Sequence, residues 1–120
     1  MKIPGFILKR LYVKSSLRRV PGGFQFHLRN SLGSGYAKRV LPLKIDAFTV
    51  LPSKTSFEVD GKSTNFEDVD ESTPFTLGMN KTTTIRCEYN DLSSGLHTIE
   101  MSFEVAGLGI LSFNFSDFIE

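Results

Sequence analysis

Two histidines, one cysteine and a short acidic run are the residues of this 120-residue chain whose types could do chemistry. Nucleophilic catalysis needs a Ser, Cys or Thr beside a base, and near neutral pH that base is usually His. His27 stands between Gln25 and Arg29 on the polar side of an alternating stretch, where a solvated side chain is expected and a partner contact is the sharper alternative. His97 opens the apolar face of a later stretch just after turn residues, which suits a half-buried histidine hydrogen-bonded to backbone. Cys87 alternates with Ile85 and Tyr89 on an apolar face, so it is expected as a buried thiol without the basic neighbour that would activate it. Glu67, Asp68, Asp70 and Glu71 gather without the ligand spacing or the glycine of a calcium loop and read as a solvated loop. Gly33-Ser34-Gly35 has no Lys-Ser/Thr after it, so it is no phosphate loop. Phe24 and Phe26 could form a base-stacking platform, but alternation sends them the same way as Leu28, into a core. The residues therefore predict no catalytic set, no metal site and no cofactor.

The elements that must position these residues are strands. His97, Ile99, Met101, Phe103 and Val105 alternate with Thr98, Glu100, Ser102 and Glu104, the pattern of a half-buried antiparallel strand. After Gly107 and Gly109 the alternation restarts with Leu111, Phe113 and Phe115, giving a hairpin. Upstream, the spacing predicts strands over Phe6 to Lys14, Phe24 to Arg29, Leu41 to Ile45, Ala47 to Leu51, Ser56 to Asp60 and Thr82 to Tyr89. Asn30 to Gly35 reads as a flexible loop, and Asn65 to Thr76 as an exposed loop with a short helical turn. About seven or eight short strands at roughly 8–12 residue spacing, with Gly, Pro, Asn and Asp between them, predict an all-β antiparallel sandwich, Ig-like in general architecture. Residues 1–120 are expected to form a single domain.

A net charge of +1, from 14 basic and 13 acidic residues, gives no global field for nucleic acid or an anionic membrane, and neither is expected as a partner. No apolar stretch approaches the length of a transmembrane helix and none resembles a leader, while one cysteine allows no internal disulfide. The cytoplasm is the expected location. Basic residues lean towards the first third of the chain, where strand edges guarded against aggregation explain most of them. An exposed partner patch is nevertheless expected from Tyr12, Arg18, Arg19, His27, Arg29 and Tyr36.

Four segments carry a family resemblance: SLRRVPGGFQFHLRNSLGSG, VLPLKIDAFTV, FEVDGKSTNFEDVD and LSSGLHTIEMSFEV. Their shared features are a Ser-Leu-Arg segment before a Gly-Phe-x-Phe strand, a Val-Asp-Gly turn and a Gly-x-His-x-Ile segment. In these the chain resembles the small β subunit of C-glycoside deglycosidases and its short archaeal relatives. The resemblance implies a β-sandwich that binds a larger, metal-dependent barrel subunit, the pair cleaving a sugar–aglycone carbon–carbon bond. Where that family commonly has a Pro-Tyr-Tyr-Arg-Gly type loop, this chain has Arg29 to Gly35, so the loop facing the partner's substrate differs. The expected function is a non-catalytic accessory subunit on such an enzyme, its partner a larger subunit or a second copy. The alternative is a self-sufficient Ig-like module that homodimerises and binds carbohydrate or peptide. Similar short archaeal chains are also labelled hydroxymethylglutaryl-CoA reductase. That activity needs a nicotinamide cofactor, a CoA thioester and a Glu, Lys, Asp and His constellation, for which the residues offer no support.

Overall fold

The N-terminal segment departs from the expected strand. In the computed structural model, which describes residues 3–120, it forms helix α1 (Gly5–Leu8) running into a 3-10 turn at Lys9–Leu11. Pro4 sets the entry with φ −62°, and Leu8 and Leu11, three residues apart, both turn inwards at 3% exposure. The broken alternation of Ile7, Leu11 and Val13 reflects this helical spacing.

The remaining elements are β1 (Arg18–Val20), β2 (Gly23–Arg29), β3 (Gly35–Ala37), β4 (Arg39–Val40), β5 (Leu43–Ile45) and β6 (Phe48–Val50), followed by β7 (Thr55–Val59), β8 (Lys62–Asn65), β9 (Phe75–Leu77), β10 (Thr82–Cys87), β11 (Gly95–Val105) and β12 (Gly109–Ile119). They exceed the expected number because β4 lies ahead of the strand predicted from Leu41, and because β1, β3, β8 and β9 are too short to show alternation. A first sheet has the order β1-β2-β10-β7-β8 and a second β12-β11-β5-β6, with β4 also on β11 and a small β3-β9 pair beside them. All the pairings between these strands are antiparallel. The fold is an all-β sandwich, as the alternation requires.

The two sheets meet through aromatic rings. Phe26 of β2 and Phe115 of β12 pack edge to face at 5.1 Å, and Tyr12 stacks on Phe115 at 3.6 Å. At a second locus Phe75 of β9 touches both Phe57 of β7, at 4.9 Å, and Phe103 of β11, at 5.9 Å. The β7–β8 hairpin turns at Asp60 and Gly61, whose φ values of 53° and 81° are those of the tight turn that Asp-Gly favours.

One glycine is fixed by space. A Cβ on Gly23 would lie 1.8 Å from the Cys87 carbonyl oxygen, since β2 and β10 approach closely where the first sheet begins, whereas one on Gly35 would meet nothing within 4 Å. Gly23→Ala is therefore expected to cost about 3 kcal/mol, the upper end for overpacking. Gly35→Ala is expected to change the urea midpoint little, and equal midpoints for the two variants would contradict this packing account.

Candidate functional site

Each histidine is held by the strand that the alternation assigned to it, and the two environments are opposite. His97, on the inner side of β11, is 7% exposed. Its Nδ1 lies 2.7 Å from Asp46 Oδ2 and its Nε2 2.6 Å from the Ser93 carbonyl oxygen. A carbonyl and an ionised carboxylate can only accept, so the two contacts together favour the doubly protonated ring. Burial opposes that charge, but the hydrogen bonds to Asp46 and Ser93 outweigh it and hold the pKa above the ordinary 6.5. Asp46 sits at φ 56° between β5 and β6, a conformation Asp tolerates, and its Oδ1 also accepts the Thr98 amide at 3.0 Å. That amide bond and the His97 bond hold its carboxyl below the usual 3.8. This pair has the composition of a catalytic dyad, but its histidine has no nitrogen free to take a proton. It works as a clip between the β5–β6 turn and the loop before β11.

Cys87 is equally unsuited to chemistry. Burial pushes its thiol up to about 11, and its polar neighbour is the Thr55 hydroxyl, 3.9 Å from Sγ. Among the described residues no three His, Cys, Asp or Glu side chains gather in a way that could hold a metal ion.

The six residues expected at a partner surface separate into three places. Tyr12 donates to Asp117 Oδ2 at 2.6 Å and accepts the Leu17 amide at 3.1 Å, and burial together with the Asp117 bond raises its phenol to about 12. Arg19 donates to the Glu120 carbonyl at 3.0 Å and to the Leu92 carbonyl at 2.6 Å, so both side chains serve the edge of the sandwich. Tyr36, on β3, is 63% exposed at the rim of an apolar cavity of about 200 Å³. Arg18, His27 and Arg29 come together on the outer face of the first sheet, joined by Arg86 of β10. Arg86 was absent from the expected set. Its outward position in Thr84-Arg86-Glu88 was legible, but its place beside β2 depends on a strand pairing that alternation does not specify.

His27 on this face is half-buried, with Nδ1 3.0 Å from Thr84 Oγ1. Burial first, then the charges of Arg18 and Arg86, hold its pKa below the ordinary value. The loop after β2 is more constrained than a flexible linker. The Asn30 side chain donates to the Gly33 and Leu77 carbonyls and accepts the Leu32 and Gly33 amides, all within 3.2 Å. Those four bonds use up the amide, which lines the apolar cavity without offering it a free polar group.

The His97–Asp46 clip has a defined pH window. A raised histidine pKa means that its stabilisation is complete below about 6.5 and is lost as pH rises through the folded value. A depressed Asp46 pKa means that its stabilisation is present above 3.8 and is lost as pH falls through the folded value. The urea midpoint is therefore expected to decline on the alkaline side of His97, and Asp46→Asn, which keeps the left-handed turn, to flatten that decline. An unchanged slope in the variant would place the titration elsewhere.

Comparison with curated proteins finds none that matches. A family model described as hydroxymethylglutaryl-CoA reductase, N-terminal domain, matches residues 7–120. This finding corrects the resemblance to C-glycoside deglycosidase β subunits, and with it the sugar-cleaving barrel partner and the self-sufficient Ig-like module. The segments behind that resemblance, an alternating strand after a glycine turn and an Asp-Gly hairpin, are what any antiparallel sandwich needs, so they do not separate families. The reductase label set aside on the residues is the one the family carries, because a domain's family name does not require a whole active site within that domain. The chain belongs to the hydroxymethylglutaryl-CoA reductase N-terminal domain family.

Proposed function

We propose that this chain is a non-catalytic N-terminal domain of a hydroxymethylglutaryl-CoA reductase, supporting the catalytic portion either on the same polypeptide or as a separate one. The observation that carries the reading is the family match over residues 7–120, which spans the sandwich from α1 to the end of β12. Reduction of a CoA thioester calls for a nicotinamide cofactor and a converging set of Glu, Lys, Asp and His, and the residues present do not fit that demand. Around β5 and β11 those types occur as separate pairs, Lys38 with Glu104 among them. Lys44 and Glu100 lie 3.6 Å apart on the outer face of the second sheet, whereas His97 turns inwards to Asp46 and has both nitrogens engaged. The reduction chemistry then belongs to other residues of the reductase.

A proposed location accompanies this reading. Among the described residues no helix is long and apolar enough to cross a membrane. We place the chain in the cytoplasm, where its single buried thiol meets no demand for disulfide formation.

Purification of the tagged chain from its own cells, with mass determination and identification of every co-eluting polypeptide, tests the reading. Stoichiometric recovery with a polypeptide that oxidises a nicotinamide cofactor on addition of hydroxymethylglutaryl-CoA is the expected result. Turnover by the sandwich alone overturns it, as does its recovery with no reductase activity in the preparation.

A further inference from the structure

Register brings three strands' worth of donors to one patch on the outer face of the first sheet. Arg18 of β1 and Arg86 of β10 are both cross-strand partners of Gln25, and His27 is the next outward residue along β2. Neighbouring strands lie about 4.8 Å apart, so the two arginines start roughly 10 Å from each other, a span that the extended side chain of Arg18 can reach across. Gln25, though it points outward, is only 4% exposed, and its Oε1 accepts Arg86 Nε at 3.2 Å. Arg86 Nη1 is also held by Glu58 Oε1 of β7 at 2.9 Å, so this guanidinium is fixed in place. Arg18 and Arg29 make no ion pair among the described residues, and Arg29 reaches only the Thr82 hydroxyl, at 3.5 Å.

We infer that this face binds the phosphate group of a small soluble ligand, with Arg18 and Arg86 on either side of Gln25, His27 next along β2 and Arg29 beyond. Three observations point to phosphate. Thr84 engages His27 Nδ1, which leaves Nε2 as the open ring nitrogen; when the hydroxyl donates to Nδ1, Nε2 carries the proton and donates to an oxyanion while the ring stays neutral. Donors on three neighbouring strands face one patch, which suits a tetrahedral dianion better than a planar carboxylate that one guanidinium fork already satisfies. The facing charges are Arg18, Arg29 and Arg86 against Glu58, with Glu88 just after β10 paired to Lys54 at 3.8 Å, a local excess on a chain whose net charge is +1, so the attraction is confined to this patch and does not suit a nucleic-acid backbone. The lowered pKa of His27 agrees, because burial and two neighbouring guanidiniums set it, and a bound dianion reverses the effect of those charges. The inference concerns a different face from the His97 clip and goes beyond the reductase-domain reading; it does not depend on that reading.

The chain's two histidines make the test self-controlled. Imidazole resonances are followed by NMR across pH in chloride, in inorganic phosphate and in pyrophosphate at constant ionic strength. The expected result is a saturable rise of about one in the His27 pKa with either phosphate probe. His97, with both nitrogens engaged, stays unmoved. Arg18→Gln, a change at an exposed edge residue, should weaken the midpoint of that rise about tenfold while leaving the urea midpoint in place. The inference is overturned by a rise in chloride equal to that in phosphate, by full retention of the effect in Arg18→Gln, or by no saturation below about 10 mM. A larger rise with a poly-glutamate peptide than with pyrophosphate also overturns it, in favour of an acidic protein surface.

Discussion

The Asp117 carboxylate, near the end of β12, joins the two ends of the fold. One of its oxygens receives both the Tyr12 hydroxyl, at 2.6 Å, and the Ser15 amide, at 2.8 Å, while the other accepts the Phe118 amide. Burial opposes its charge, but the Tyr12 bond and the two backbone amides outweigh it and keep the carboxyl ionised below the usual range. With its hydroxyl held there, Tyr12 lies flat on Phe115, and Phe115 in turn meets Phe26 across the sandwich. The N-terminal helical segment, the first sheet and the second sheet therefore share a single polar anchor. A neutral amide at position 117 would still accept one of these bonds, but it would lose the charge-assisted pair that orients the ring.

The two histidines show how little residue type says about role. Both lie on strands that the alternation located, and both have a ring nitrogen within hydrogen-bond reach of a side chain. Two acceptors favour the protonated form of one. Burial and two neighbouring guanidiniums favour the neutral form of the other. The difference arises in part from partners that are 51 and 57 residues away in sequence, which only the folded register brings close.

Legibility followed the length of each element. The β11–β12 hairpin, with 11 residues in each strand, could be read, though not to the ends of its strands, over His97 to Val105 and Leu111 to Ser116, including which side faces inwards. So could β2 and β10, whose buried Phe24, Phe26, Ile85 and Cys87 fall where alternation put them. Helix α1 could not be read, because four residues give barely one turn and its apolar side chains mimic a poor strand. The candidate surface was half legible. Polarity singled out Arg18, His27 and Arg29, but Arg86, Asp46 and Asp117 act through pairings between distant segments. Tyr12, chosen as an exposed anchor, instead spends its hydroxyl on Asp117. Family membership lay outside what strand patterning could resolve, since the segments compared encode the sandwich itself.

The long terminal hairpin also bears on how the chain reaches this structure. Its strands are linked by only the three residues Ala106 to Leu108, so its register is reached by closing a very short loop, on the microsecond scale of isolated hairpins. The first sheet, by contrast, sets β2 beside β10 and must close a loop of some fifty residues before any contact rewards it. Because β11 also carries β4 and β5, an early hairpin would offer these short strands a template, and formation of the first sheet becomes the slow step. Changes in β2 and β10 would then act mainly on the rate of folding, whereas changes confined to the outer side of the hairpin would leave that rate alone.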